Sequence, residues 1–575
     1  MFVTKPRVLA VLALCLSTVP VWAEDAATYH GDSGAFLAAR VAEADNDLRA
    51  AARWYAQTIV ADDTNAGLLT GSIAANMALG EFDLATDAAN KIVALKVKSQ
   101  AADFALMTRD LAAEDYKAVL AAQKAGRSLG SPLTDDLITA WANFGVGNMT
   151  EALAGFDKLA TTEGLEAFGL YHKALALASA GDFEGADKIL SGEAAGTIAV
   201  LRSGVIAHVQ ILSQLERNPD ALKLLDGNFG PDPDPQLDEL RTRLKAGEPV
   251  PFDAIRNARD GMAEVFFTVA SALQGETEDS FILTHTRIAT HLRPDHIDSL
   301  LTSANLLEKM GQFDLAVETY GQVSPQDPTY YVAEIGRADA LYQGGQPEAA
   351  IEALRALTRS FPTLIPVQAT LADQLRRTDK CAEAIPAYDA TLKLVTKPEP
   401  QHWNLFFSRG TCLENVKDWA RAEPDLRRAL ALYPGQPQIL NYLGYSLVDR
   451  GEKLPEALSL IEQAVAAQPE AGYIIDSLAW AYFRLGRYDD ALAPMEKASL
   501  LEPVDPVVTD HLGDVYWAVG RKLEARFQWR RALSFEPDEK ETTRIRRKLE
   551  VGLDVVLKEE GAPALKPVDA AAADN

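Results

Sequence analysis

Cysteine is nearly absent from this chain: three in 575 residues, at Cys15, Cys381 and Cys412, none in a Cys-x-x-Cys spacing. That excludes thiolate zinc sites and dithiol redox motifs. Three of the eight histidines, His285, His291 and His296, cluster near Asp295. Their intervals of six and five do not stack on one helix face, and Pro294 ends that helix, so no metal site is expected. His511 sits between Asp510 and Asp514 with no nucleophile or ligand spacing beside it. Phosphate loops, zinc-protease patterns and Gly-x-Ser-x-Gly are missing too. No catalytic residue, metal or cofactor is therefore expected.

Positive charge is scarce. Fifty-six Lys and Arg face 82 Asp and Glu, a formal charge of −26. Such a chain is repelled by phosphate backbones and by anionic lipid, which excludes nucleic acid as a partner. What the charge favours is solubility, or a basic partner. Long apolar runs are missing as well, so no membrane span is expected. The one short run, residues 8–16, follows Lys5 and Arg7 and precedes Pro20 and Val21-Trp22-Ala23. Residues 1–23 thus read as a secretory signal peptide cleaved after Ala23. Cys15 lies inside the apolar run behind Leu14, where lipidation needs a small residue. Removing Lys5 and Arg7 takes the formal charge from −26 to −28. The expected mature protein is exported and soluble, in the periplasm of a bacterium, with any outer-membrane association made through a partner.

What is present is a period. Pro434, Pro469, Pro503 and Pro537 are 35, 34 and 34 residues apart. Each closes a similar unit: Leu512-Gly513-x-x-Tyr516 precedes Ala525-x-x-x-Trp529, and Leu478-Ala479-x-x-Tyr482 precedes Ala491-x-x-x-Met495. This resembles the tetratricopeptide (TPR) pattern, a helix–turn–helix unit stacked on its neighbours. The small residue that lets the paired helices approach recurs at Ala51, Ala85, Ala118, Ala152, Ala186 and Ala221. After a break it resumes at Ile282, Ala316, Ala350, Ala384, Ala422, Ala457, Ala491 and Ala525, which makes 14 candidate units. Turns such as Gly80-Glu81-Phe82 and Gly486-Arg487-Tyr488 separate the paired helices. The resemblance implies an all-α, right-handed superhelical solenoid of about 14 units in two segments with a C-terminal capping helix. The expected divisions are residues 24–226, a Pro/Gly-rich seam at 227–252 containing one short helix, residues 253–537, a cap at 538–560 and a disordered tail at 561–575. In the cap, Ile545, Leu549, Leu553 and Val556 are expected inward, and Arg546, Arg547 and Lys548 outward.

In TPR register Cys381 opens the second helix of its unit and Cys412 lies late in the first helix of the next. Those helices run antiparallel and adjacent, so an exported protein is expected to join the pair as a disulfide. Two separate buried thiols are the other reading. The resemblance also implies a concave groove lined by the second, fifth, ninth, twelfth and thirteenth positions of each first helix. Those positions hold Asn441, Tyr445 and Asp449, then Tyr473, Asp476, Trp480, Phe483 and Arg484, then Asp510, Asp514 and Trp517. Some TPR domains grip a terminal carboxylate with Lys and Asn there. Asp476, Asp510 and Asp514 contradict that clamp and leave an aromatic, acidic groove for a protein partner with a basic or aromatic segment. The other reading of each aromatic is packing between helices.

The runs at residues 441–449, 472–482 and 510–517 look like exported TPR proteins of gram-negative bacteria, which include adaptors of a carboxyl-terminal processing protease. The expected function is a non-enzymatic periplasmic scaffold that binds protein partners. That adaptor role and a glycan-associated structural role, with Tyr and Trp as platforms for sugar rings, are the alternatives.

Overall fold

The computed structural model describes residues 33–565 apart from 195, 197, 231 and 232. The expected signal segment, residues 1–23, lies outside them, as do residues 566–575 of the expected tail. The described residues are all-helical. They form fourteen antiparallel helix pairs, from Ser33–Ala44 with Leu48–Ala61 to Pro506–Ala518 with Lys522–Leu533. A single helix, Pro235–Lys245, stands between the sixth and seventh pairs, and Glu539–Val551 and Leu553–Glu559 follow the fourteenth.

Local chemistry explains the elements. Side chains of Asn65, Ser99, Asp115, Ser131 and Asp505 accept from the free amides at helix starts. Pro132, Pro437 and Pro506 stand where the first-turn amide has no partner to lose. The turn inside a pair needs a left-handed residue. Gly80 (φ 86°) and Gly486 (φ 72°) supply it without strain, whereas Glu216 (φ 60°) and Lys417 (φ 68°) hold the same place elsewhere. The repeating small residue is the fourth of the second helix in thirteen pairs, at 2% exposure or less. The third pair differs: its second helix, Tyr116–Lys124, buries Val119 in place of the expected Ala118.

The chain divides into two compact units, one up to Leu364 with nine pairs and one from Ile365 with five pairs and the two terminal helices. The seam expected at 227–252 is not the division. After it, the first helix of the seventh pair, Ala258–Leu273, packs onto the first helix of the fourth pair, Pro132–Gly145. Its partner Asp279–Leu292 packs onto Ala66–Leu79 of the second pair. Gly261 lets this approach happen, because a Cβ there would stand 2.5 Å from the Trp141 ring. Met262, Val265, Phe266 and Phe267 are buried on different sides of the helix. Asp260, Glu264 and Thr268 form one buried polar row on the same helix, and the Arg256, Tyr171, His296 and His172 side chains meet it. The early pairs wrap around the apolar sides that remain.

In the second unit Cys381 and Cys412 are joined by a disulfide, with Cα atoms 5.0 Å apart. They tie the tenth pair's second helix, Cys381–Leu394, to the eleventh pair's first, Trp403–Asn415. The terminal segment is two helices rather than one capping helix, because Gly552 (φ 87°) turns the chain under Trp517.

Candidate functional site

The groove positions of the last three pairs separate into two groups. Asp449, Tyr473 and Arg484 are exposed, and Asn441 and Tyr445 are half-buried. Tyr473 is 49% exposed, and Arg484 Nη1 lies 3.4 Å from Asp449 Oδ1. Burial, with Asp449 and Asp476 nearby, pushes the Tyr445 phenol up to about 12. Asp476, Trp480, Phe483, Asp510, Asp514 and Trp517 are buried. The expectation that these six line an open groove is corrected. Consecutive first helices Pro437–Arg450, Gly472–Arg484 and Pro506–Ala518 lie close enough to touch, so large side chains on the inner face fill the space between them.

Trp480 is stacked between Phe483, with ring centres 4.8 Å apart, and His511, at 4.0 Å. The His511 Nδ1 lies 3.0 Å from Asp476 Oδ1. Burial alone lowers the imidazole, but Asp476, Asp510 and Asp514 outweigh it and leave His511 raised. Trp529 Nε1 donates to Asp514 Oδ1 at 2.8 Å, and Trp517 Nε1 donates to Asp554 Oδ2 at 2.8 Å.

The acidic rows meet the chain's own cations. In steps of 34 residues, positions 476 and 510 lead to Arg544, and positions 480 and 514 lead to Lys548. Lys548 Nζ donates to both Asp510 oxygens at 2.6 Å and to Asp514 Oδ1 at 2.7 Å, and the side chain is fully buried. Arg544 Nη1 lies 3.4 Å from Asp514 and 3.6 Å from Asp510. Burial raises the Asp510 carboxyl, and Lys548 only partly opposes it. The expectation that Lys548 faces outward is therefore also corrected: two desolvated carboxylates demand a buried cation. The fifth-and-ninth-position rule that located the groove extends one helix further and would have found this pairing.

An open site lies elsewhere, within the first unit. A cavity of about 540 Å³ is enclosed by the helices of the fifth to ninth pairs and by Pro235–Lys245. Six carboxylates line it, Asp234, Asp253, Glu264, Asp295, Asp298 and Asp327, against two guanidiniums, Arg202 and Arg293. Arg202 Nη2 is 2.9 Å from Asp234, and Arg293 Nε is 3.3 Å from Asp295. Deep in the wall, Glu264 accepts from the Tyr171 hydroxyl at 2.8 Å and pairs with His296 Nε2 at 3.0 Å. Burial raises Glu264, but the His296 and Tyr171 contacts reverse that and hold it below its ordinary range. Asp298 goes the other way: burial raises it and Glu264 adds to the effect, and together they outweigh His296, Arg202 and Ser203. Of these residues the sequence reading held only His296 and Asp295, as a rejected metal cluster, and Asp234, as part of the Pro/Gly-rich seam. They come together only because the seventh pair folds back, which the repeat spacing does not encode.

Among the described residues no group of three or more His, Cys, Asp and Glu is arranged to hold a metal. No helix among them is long and apolar enough to cross a membrane.

Two tetratricopeptide repeat family models match the chain, one over residues 307–374 and the other over 370–437 and 441–506. Over that stretch the chain matches the tetratricopeptide repeat. The TPR repeat-containing protein PA4667 of Pseudomonas aeruginosa is a distant homologue, 30% identical over 187 residues, which are 32% of this chain and 31% of that protein. The chain thus spans about a third of the length of that curated relative. Among solved structures, the APC/C hetero-tetramer Cut9–Hcn1 is similar at a TM-score of 0.38 and 14% identity, over 90% of this chain and 96% of that one. A tetratricopeptide repeat protein from Parabacteroides merdae is similar at a TM-score of 0.37 and 16% identity, over 44% of this chain and 97% of that one.

Proposed function

We propose that this protein is a non-enzymatic scaffold that binds a basic segment of a protein partner in the acidic cavity of its first unit. One observation carries the reading: a cavity of about 540 Å³ in which six carboxylates face two guanidiniums, with Asp295 also paired to a third, Arg256, from outside the lining. Lysine or arginine side chains entering it would neutralise charge that the fold leaves in excess, and complementary charge speeds encounter as well as fixing orientation. The repeat architecture supports a protein partner, because TPR stacks are recognition scaffolds. The reading places the protein outside the cytoplasm, exported by the segment at residues 1–23, and this rests on the sequence of that segment. The protease-adaptor role receives less support. The runs that carry that resemblance, at 441–449, 472–482 and 510–517, are largely packing residues of the last three pairs.

The test is a crosslinking pull-down from envelope extract with the full chain and with Asp253→Asn/Asp298→Asn, each checked for an unchanged helical spectrum. A protein recovered by the first and lost by the second supports the reading. Equal recovery by both would move the partner surface away from the cavity. Sedimentation of the pure protein with purified cell wall would favour the glycan-associated alternative.

A further inference from the structure

The chain binds one basic helix already. Glu539–Val551 extends the 34-residue period by one more first helix and sets Arg544 and Lys548 in the two rows where the preceding pairs carry Asp510 and Asp514. The receiving pocket is built for an ammonium group. Lys548 Nζ lies 2.6 Å from Asp510 and 2.7 Å from Asp514, with the Trp529 ring centre at 5.3 Å. Carboxylates and an aromatic face are the groups that replace water around a cation. Beside the lysine the helix that delivers it buries Ile545, rests the half-buried Leu549 against the core and accepts at the Leu549 carbonyl from Arg526 at 2.6 Å. By contrast, Pro506–Ala518 is buried from Val508 through Ala518. The pocket thus reads two cations one turn apart, with Ile545 and Leu549 as a narrow apolar edge beside them. Its further anchor is the next segment, where Leu553 and Val556 are buried and Asp554 accepts from Trp517.

We propose that the inner face of the fourteenth pair is a docking surface for a partner helix carrying two cationic residues at i and i+4, and that Glu539–Val551 is its resident ligand in cis. A partner helix competes with the resident one for Asp510 and Asp514. This site is independent of the cavity in the first unit. Occupancy by an external helix is governed by the ratio of the two affinities, so weakening the resident helix strengthens the partner.

The probe is a fluorescent peptide of residues 538–560, titrated into the full-length protein and followed by anisotropy. We expect saturable binding, at least tenfold tighter to Arg544→Gln than to the unaltered chain, and weakened by salt. The same peptide carrying Lys548→Glu should not bind. Because Arg544 is partly exposed, its removal should leave the pairs folded, which the helical spectrum and the intact disulfide would verify. A second variant, Asp510→Asn/Asp514→Asn, should lose the peptide while keeping its helices. Failure of the peptide to bind folded Arg544→Gln, or binding indifferent to the charge at position 548, would overturn the proposal and leave the terminal helices as a fixed cap.

Discussion

The two units fill their inner faces in different proportions of apolar and ionic contact. In the first, the early pairs close around Ala258–Leu273, a largely apolar helix with one buried polar row, anchored by Gly261 under Trp141. In the second, the last pair closes around Lys548, a buried cation between two carboxylates. Apolar closure is non-directional and tolerates salt. Ionic closure is directional and punishes the loss of either partner, because the other charge stays buried. The same repeat can thus end in a hydrophobic core or in a charge network, depending on a few positions of the first helices.

The comparison can be broken most sharply at Lys548. Lys548→Met should destabilise the second unit by about 3–5 kcal/mol, the cost of stranding buried carboxylates. Adding Asp510→Asn and Asp514→Asn should recover most of that loss. Denaturant midpoints for the two variants give the answer, and equal midpoints would mean the network contributes nothing. Trp480→Ala should cost about as much, ~3–5 kcal/mol, since a stacked core aromatic is removed. If Trp480 instead met a partner, the melting temperature would stay and partner affinity would fall.

Acid should separate the units. Burial lowers His172 and His285 of the first unit from 6.5 to about 4. Between those values the unfolded chain binds protons that the folded one refuses. The stabilisation is therefore complete above pH 6.5 and lost as pH falls toward 4. At ~1.4 kcal/mol per unit for each histidine, the first unit should weaken by about 4 kcal/mol between pH 7 and 5. His511 in the second unit is raised, so its contribution is present below 6.5 and fades as pH rises through its folded value. Thermal scans at pH 5 and 7 should show the two transitions moving in opposite directions relative to each other. Parallel shifts would contradict the burial of these histidines.

The smallest of these effects sharpens the comparison from the covalent side. Reduction, or Cys412→Ser under oxidising conditions, should cost the second unit about 3–4 kcal/mol by the loop-entropy estimate for a separation of 31 residues. The first unit should not respond. A free-thiol titration on the native protein gives the matching chemical count.

The repeat was legible because its signal is local. A small residue every 34 positions, proline between units and glycine in the turn all act within one hairpin, so spacing alone located fourteen pairs. Groove positions were legible as a face but not as a surface. Asp476 and Trp480 do point inward, yet whether an inward side chain meets water or the next helix depends on superhelical curvature, which no short motif sets. The cavity was illegible for a related reason. Glu264 and Tyr171 are 93 residues apart and meet only because the seventh pair folds back. One signal was available: away from the row of Asp260, Glu264 and Thr268, Ala258–Leu273 is apolar over a wider arc than a surface helix needs, and such a helix belongs inside.

Hydrogen exchange at low and high salt tests the account most directly, since it reads both inner faces in one experiment. Amides of Ala258–Leu273 should be among the slowest in the first unit at every salt concentration. Amides of Glu539–Val551 should open locally and exchange faster as salt rises. Fast exchange in Ala258–Leu273, or salt-independent protection of Glu539–Val551, would contradict the claim that one inner face is closed by apolar packing and the other by charge.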